Sequence, residues 1–260
     1  MRLSVIVPVL NEAALLRDFV AHLRARLPTA EVVIVDGGSD DATWDELEAM
    51  RESHSLSILR AARGRARQMN AGAMVSRGDV LLFLHADSRL PPGSEDAIDD
   101  LLANPDIVGG CFRLRFPRSA WIYRVSDSLG NVAVDCFGIA CGDHGIFCRR
   151  DTFFAAGAFP EVPLMEDADF CRALQRHGRV RQLRAEIETS PRRYEELGPY
   201  RTTVFYLFIL LLYLLGVKKQ RLASWHSWFT LSGSIAQARQ SAASPERRTG
   251  SSRYRLLPSR

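Results

Sequence analysis

The first half of the chain alternates short apolar runs with amphipathic segments, and this alternation restricts the fold more than any other feature. Residues 3–9, 31–35, 56–60 and 79–84 form runs that suit short buried strands. Between these runs, apolar residues recur at helical spacing. Strands that are apolar on both faces and alternate with amphipathic helices predict an α/β fold with a mainly parallel sheet between two layers of helices.

The same reasoning extends the prediction through the second half, where the pattern is less regular. The further helices and strands are expected at residues 41–53, 65–76, 107–116, 120–134, 145–150, 166–177 and 180–187. In an open sheet of this kind, ligands bind beyond the carboxyl ends of the strands. We therefore expect a binding site where the first, second and fourth strands end.

An uncharged segment of sixteen residues, 202–217, follows this α/β pattern. As a helix it would be about 24 Å long, which is short of the roughly 30 Å hydrocarbon core of a bilayer. Three placements therefore stay open: packed against the domain, lying in the membrane interface, or spanning with help from its flanks. Lys218, Lys219, Trp225 and Trp228 lie next to the segment and suit interfacial anchors.

The charge is distributed unevenly along the chain. The whole sequence has a net charge of +4, which is too small to indicate nucleic-acid binding. Residues 217–260 contain nine Lys or Arg against Glu246 alone, so this tail carries +8 and the preceding part −4. Such a tail is either solvated or attracted to anionic lipid headgroups. We expect membrane association, with the last twenty residues disordered.

Five cysteines occur, and their number and spacing argue against a disulfide framework. The count is odd and no C-x-x-C pair is present, so a zinc ribbon is not indicated either. Buried small hydrophobes in a reduced, cytoplasmic protein are the expected outcome. The apolar run after the N-terminus contains Pro8 and leads into Asn11 and Glu12, which does not suit a secretory signal.

Two carboxylates lie at the ends of predicted buried strands. Asp36 follows the second strand, where an aspartate can also serve simply to cap a turn. Asp87 follows the fourth strand through His85 and Ala86, and a carboxylate there could hold a divalent cation that bridges two phosphates. No P-loop, no G-x-G-x-x-G after the first strand and no G-x-S-x-G elbow are present.

Five stretches together carry a resemblance to a known family. They are Ser4-Val-Ile-Val-Pro-Val-Leu-Asn-Glu12, Val33-Ile-Val-Asp-Gly-Gly-Ser-Asp40, Gly64-Arg-Ala-Arg-Gln-Met-Asn-Ala-Gly72, Leu82-Phe-Leu-His-Ala-Asp87, and Gly142-Asp-His-Gly-Ile-Phe-Cys-Arg-Arg150 with Pro163-Leu-Met-Glu-Asp167. From residue 3 to about 195, the chain resembles a family 2 glycosyltransferase of the GT-A fold. Within that family it is most similar to the bacterial radical-SAM/selenodomain-associated transferases.

The resemblance implies a nucleotide-sugar pocket and a metal site. The residues implied for the nucleotide-sugar are Pro8, Asn11, Glu12, Asp36, Gly38, Arg65, Asn70 and Asp87, with Asp36 on the base. Asp87 would also bind metal, as the second acid of the family's D-x-D motif. His85 replaces the first acid: its imidazole could ligate Mn²⁺, or it could cap the strand end.

The resemblance also implies an acceptor side. Asp167 would be the general base, because an acceptor hydroxyl needs a carboxylate to take its proton, and Glu166 is its acidic neighbour. An acidic pair at a helix start could instead serve the helix dipole. Asp143 and His144 are expected near the acceptor. The segment Arg192-Arg193-Tyr194 could close over the diphosphate or form a surface cluster.

The expected organisation is a GT-A domain at 1–198, an apolar and amphipathic membrane-proximal helical region at 199–240, and a disordered basic tail at 241–260. The resemblance implies an inverting glycosyltransferase that moves a sugar from a UDP-sugar donor to a hydroxyl acceptor, which a lipid could carry, with Mn²⁺ or Mg²⁺. We expect it at the cytoplasmic face of the inner membrane. A non-catalytic nucleotide-sugar-binding scaffold and a nucleotidyltransferase are the alternative hypotheses.

Overall fold

The computed structural model describes residues 1–243, and the side chains as far as Leu231. Of the tail expected at residues 241–260, the part after Ala243 lies outside the described residues. Eight strands are present in this part of the chain: β1 Leu3–Val9, β2 Glu31–Asp36, β3 Leu56–Arg60, β4 Val80–Phe83, β5 Ser88–Arg89, β6 Ile107–Arg115, β7 Ile146–Arg149 and β8 Arg179–Thr189.

The helices of the described part alternate with these strands and then continue alone to its end. They are α1 Ala13–Arg26, α2 Thr43–Met50, α3 Arg65–Val75, α4 Ser94–Leu102, α5 Trp121–Phe137, α6 Arg150–Ala155, α7 Glu166–Leu174, α8 Arg192–Leu197, α9 Pro199–Leu214 and α10 Lys219–Ala243. A short 3-10 turn, Gly142–His144, precedes β7. Every strand and helix expected from the sequence is found, with ends within a few residues.

All eight strands form one mixed sheet in the order β3-β2-β1-β4-β7-β6-β8-β5. Strands β3, β2, β1 and β4 are parallel, and β6 is parallel to β8, whereas β7 runs antiparallel to both of its neighbours. Because β1, β2 and β4 are parallel, their carboxyl ends lie at one edge of the sheet. The predicted mainly parallel α/β architecture is therefore confirmed.

Helices cover both faces of the sheet, and alternate residues of β1 face the two layers. Val5 and Val7 belong to a core that includes Leu16 of α1. Ile6 belongs to the opposite core, together with Met69 of α3. Gly72 allows α3 to approach closely, since a Cβ there would lie 2.5 Å from the Ile6 side chain. The predicted two-sided burial of the strands is confirmed.

The C-terminal helices pack on the domain through one side of α9. Ile209 and Tyr213 are buried with Leu164 and Ala168, which flank the start of α7. Asp169 of α7 accepts hydrogen bonds from the Tyr213 hydroxyl, at 2.8 Å, and from the Lys219 ammonium. Over residues 1–243, none of the helices has the length and apolarity that crossing a membrane requires. The apolar segment is thus a helix that contacts the domain beside α7.

Candidate active site

A cavity of about 610 Å³ opens at the sheet edge where β1 and β4 end. Pro8 and Glu12 line it at the end of β1, and Asp87 lines it beyond β4. Tyr206 of α9 and His226 of α10 contribute to its wall. The cavity thus extends from the ends of the parallel strands to the C-terminal helices.

Most of the residues predicted for the site line this cavity. Those that do are Pro8, Glu12, Arg65, His85, Asp87, Asp143, His144, Asp167, Arg192, Arg193 and Tyr194. Those outside its lining are Asn11, Asp36, Gly38, Asn70 and Glu166. The individual roles given to these residues stay predictions.

Asp167, the second residue of α7, lies where a general base could act. Its side chain is nearly buried, and its Oδ2 accepts a hydrogen bond of 2.8 Å from the Gly142 amide. Its Oδ1 is buried and has no hydrogen-bond partner in the structure. Burial, followed by the charge of Glu166, raises the pKa of Asp167 to about 6. One oxygen of this carboxylate, whose pKa is raised to about 6, is thus left without a hydrogen-bond partner in the described part of the protein.

Glu166 does not line the cavity, and its side chain forms an ion pair with Arg65. The Arg65 Nε lies 2.8 Å from the Glu166 Oε1, and the Glu166 carboxylate is almost fully buried. Met165, just before it, has a φ of 67°, a backbone conformation that is rare for a residue with a side chain. The ion pair therefore fixes the start of α7 against the start of α3, which suits an orienting role for Glu166.

His85 is held by Asp143 across the cavity wall. The His85 Nδ1 lies 3.0 Å from the Asp143 Oδ1, while the His85 Nε2 is buried without a hydrogen-bond partner. A Cβ on Gly142 would lie 2.6 Å from that Nε2 and 3.2 Å from the Asp167 Oδ2. A glycine at 142 is therefore what allows the imidazole edge to lie beside the proposed base.

Asp87 is the carboxylate predicted to hold a divalent cation. It is partly buried, and its burial together with the charge of Asp143 raises its pKa. Among residues 1–243, no group of three His, Cys, Asp or Glu side chains forms a metal site. Burial lowers the pKa of His85, but the hydrogen bond with Asp143 and its charge outweigh burial and raise that pKa, so the imidazole could ligate a cation only in the neutral form. With that form, Asp87 and His85 could hold a cation that takes its remaining ligands from phosphates and water.

The basic-aromatic segment at the start of α8 lies over the same cavity. The Arg192 Nη2 lies 3.3 Å from the Glu12 Oε1, which links the last part of the fold to the end of β1. Arg193 donates a 3.2 Å hydrogen bond to the Tyr206 hydroxyl. The hydroxyls of Tyr194 and Ser126 form a hydrogen bond of 3.0 Å. Two arginines are thus available to an anionic group in the cavity.

The predicted residues in the loops after β1 and β2 brace those loops. Asp36 is fully buried and accepts hydrogen bonds from the Ser39 amide and hydroxyl, at 3.1 and 2.5 Å. Asn11 accepts one of 3.0 Å from the Asp40 amide. The Gly38 carbonyl accepts one from Arg63, at 3.1 Å. These contacts shape the edge of the cavity.

Asn70 serves a similar bracing purpose on α3. Its amide nitrogen donates to the Phe159 carbonyl at 2.9 Å, and its amide oxygen accepts from the Phe159 backbone N–H at 3.0 Å. Both functions of the side chain are therefore used within the protein. A contact with a nucleotide, as predicted, would have to use the second N–H or the second oxygen lone pair of this amide.

Several cavity residues were missed by sequence reasoning. Gln68 is buried and donates 2.8 Å hydrogen bonds to the carbonyls of Val9 and Val35, which ties together the ends of β1 and β2. It lies inside a quoted motif, so a signal was available. Tyr206 and His226 had none, because the pattern of their segments did not indicate which side chains would face a site.

Comparison with known proteins identifies the class. The family model described as "Glycosyl transferase family 2" matches residues 4–158, which is more than half of the chain. The chain therefore belongs to this family. It is a glycosyltransferase, an enzyme that transfers a sugar, and it has the GT-A fold.

Curated relatives share the N-terminal part of the chain. An undecaprenyl-phosphate 4-deoxy-4-formamido-L-arabinose transferase of Pseudomonas paraeruginosa is 34% identical over 155 residues, covering 56% of this chain and 45% of the relative. A dolichol-phosphate mannosyltransferase of Pyrococcus furiosus is 29% identical over 100 residues, covering 35% of this chain and 27% of the relative. The chain thus spans less than half the length of these curated relatives.

Solved structures share the fold. A mannosyltransferase of Pyrobaculum calidifontis, in complex with GDP-mannose and Mn²⁺, matches with a TM-score of 0.62 and 19% identity, covering 94% of this chain and 76% of that one. The S. aureus protein TarS, in complex with UDP-GlcNAc, matches with a TM-score of 0.56 and 18% identity, covering 73% of this chain and 58% of that one. At these identities the similarity describes the fold alone.

Proposed function

We propose that this enzyme is an inverting glycosyltransferase that moves a sugar from a UDP-sugar to an acceptor hydroxyl, with Asp167 as the general base. The unpartnered Oδ1 of Asp167 is the observation that carries the proposal, because Asp167 lines the same cavity as Asp87 and two arginines. Such an oxygen can take the acceptor's proton as the hydroxyl attacks the anomeric carbon. Inversion follows from a single displacement without a covalent intermediate.

The donor would lie along the ends of β1 and β4. Pro8 and Glu12 line this part of the cavity, and Asp87 with His85 would hold Mn²⁺ or Mg²⁺ there. When bound, the cation would neutralise charge that develops on the leaving diphosphate. Arg193, which also lines the cavity, could add a second positive charge near the diphosphate.

A lipid-linked acceptor is the class that we favour. The names of two relatives refer to undecaprenyl phosphate and dolichol phosphate. On α9 and at its C-terminal end, the apolar residues Val204, Phe208, Leu211 and Leu215 are exposed at helical spacing, and the basic tail follows in the sequence. These features support contact with the cytoplasmic face of the inner membrane. The odd number of cysteines, without a C-x-x-C pair, supports a reducing compartment, although Cys136 and Cys141 are exposed rather than buried as expected.

A panel of nucleotide sugars, with and without Mn²⁺, tests the donor assignment by thermal shift. UDP-sugars should raise the melting temperature more than other nucleotide sugars, and chelation should remove the effect. A response to GDP-sugars alone would contradict the UDP assignment. The acceptor step is then tested with Asp167→Asn against the matched control Glu166→Gln. Transfer that is lost equally in both folded variants would overturn the specific role of Asp167.

A further inference from the structure

One end of the cavity is apolar, and the donor does not account for it. Leu129 and Ala133 of α5 line the cavity here, together with Leu207 and Leu210 of α9. Ile139, Leu164 and Ala168 continue the same lining. A nucleotide-sugar carries phosphates and hydroxyls, so a wall of aliphatic side chains offers it no hydrogen bonds. We call the part lined by these seven residues the apolar arm.

The apolar arm leads directly to the proposed base. Ala168 follows Asp167 in the chain, and Leu164 lies three residues before Asp167, just ahead of α7. Both belong to the same cavity lining as Asp167 and Gly142. A molecule with its polar head beside Asp167 would therefore have the apolar arm available for whatever is attached to that head.

The outer faces of the two helices that form the apolar arm are also apolar. Val125 and Val132 of α5 are exposed, as are Phe208 and Leu211 of α9. Where the helices begin, the rings of Trp121 and Tyr200 lie in edge contact, with centroids 5.5 Å apart. The surface around the arm thus favours hydrocarbon over water, and the positively charged tail complements an anionic lipid surface.

We propose that the apolar arm between α5 and α9 binds the hydrocarbon tail of an amphiphilic acceptor. The tail would lie between the two helices while the polar head reaches the side of the cavity that Asp167 lines. This inference rests on the proposed function and deepens it, because it assigns the acceptor tail a binding site within the chain. It also gives α5 a part in acceptor binding.

The test compares ligands that differ only in tail length. Butyl, hexyl and octyl glucosides, with glucose as the tail-less probe, are titrated into the full-length protein saturated with UDP, and alkyl phosphates of the same lengths form a second series. Each CH₂ group that enters the arm should tighten binding about fourfold in both series. A wild-type affinity that does not depend on tail length would overturn the proposal.

Neighbouring residues on α5 provide a matched pair of variants. Ala133 lines the arm and is 6% exposed, whereas Val132 faces outward and is 50% exposed. Ala133→Phe should fill the arm and abolish the dependence on tail length, while Val132→Phe should retain it. The same dependence in both variants would place the tail elsewhere and overturn the proposal.

A second pair, on α9, guards against a misfolded α5 variant. Leu210→Trp enters the arm, and Leu211→Trp projects from the exposed face of α9. UDP affinity should stay within a few-fold of wild type in all four variants, which separates this proposal from donor binding. If octyl glucoside binds through the arm but Asp167→Asn transfers sugar at the wild-type rate, the proposed base fails while the tail site stands.

Discussion

Replacing Asp167 with asparagine should make the enzyme slower and more stable at once. The pKa of this carboxyl rises from 3.8 to about 6 on folding, chiefly because of burial and then because of Glu166. At about 1.4 kcal/mol per pKa unit, the ionised carboxylate lowers the unfolding free energy at pH 7 by about 1 to 3 kcal/mol. Asn carries no charge and keeps an oxygen for the Gly142 amide, so this cost should be relieved.

The dependence on pH distinguishes this explanation from a general packing effect. Because the folded pKa lies above the unfolded one, the cost is absent below pH 3.8, grows up to about pH 6, and is complete above it. The stability gap between variant and wild type should therefore open over that window in urea unfolding. Wild-type transfer should rise through about pH 6, and Asp167→Asn should lower it by about 10²–10⁴-fold at pH 7.

Two results would refute the reasoning about Asp167. The first is a variant that is less stable than wild type at pH 7, or a stability gap that does not change with pH. The second is a folded variant that transfers sugar at the wild-type rate. Glu166→Gln serves as the control, since it removes a charge from the same acidic pair at a residue that pairs with Arg65 and does not itself line the cavity.

Three further predictions concern the metal, the cavity wall and the membrane. Asp87→Asn should weaken UDP binding in Mn²⁺ by about tenfold or more in calorimetry; equal, chelator-insensitive affinity would remove Asp87 from the metal role. Gly142→Ala should reduce transfer by about 10²-fold and leave UDP affinity within a few-fold, because its Cβ would displace His85; wild-type transfer would show that the imidazole position is unimportant. Phe208→Ser with Leu211→Ser should lower binding to anionic vesicles by about tenfold or more in flotation assays; unchanged binding would place the membrane contact elsewhere.

The parallel half of the fold was predictable because its strands are local and apolar on both faces. The run at residues 3–9 could be little else than a buried strand, and it is β1 without any change of bounds. Strand β5 was not predicted, since its two residues pair with the distant β8. Helix α4 was also not predicted, although Ile98 and Leu102 are buried on it. Pairing between distant segments leaves little local pattern in a sequence, and this explains why β5 was missed.

The site was predictable in composition more than in arrangement. The motifs named Asp87, Asp143 and Asp167, and all three line one cavity. They did not reveal that Asn70 would be bonded to the Phe159 backbone, or that Arg65 would pair with Glu166. Those contacts depend on how loops from distant parts of the chain meet. Sequence motifs identify which groups gather at a site, while tertiary contacts decide which of their atoms stay free.

Helix α9 shows how one pattern can serve two purposes. Its apolar composition suggested membrane contact, and its exposed face agrees with that prediction. Its inner face, however, supplies Tyr206 and Leu210 to the cavity, and Tyr213 bonds to Asp169, two residues beyond the proposed base. A chain ending at residue 198 would therefore lose a wall of the cavity together with its apolar surface. Catalysis and membrane contact are best separated by substitutions on the outer face of α9, because those leave the cavity wall in place.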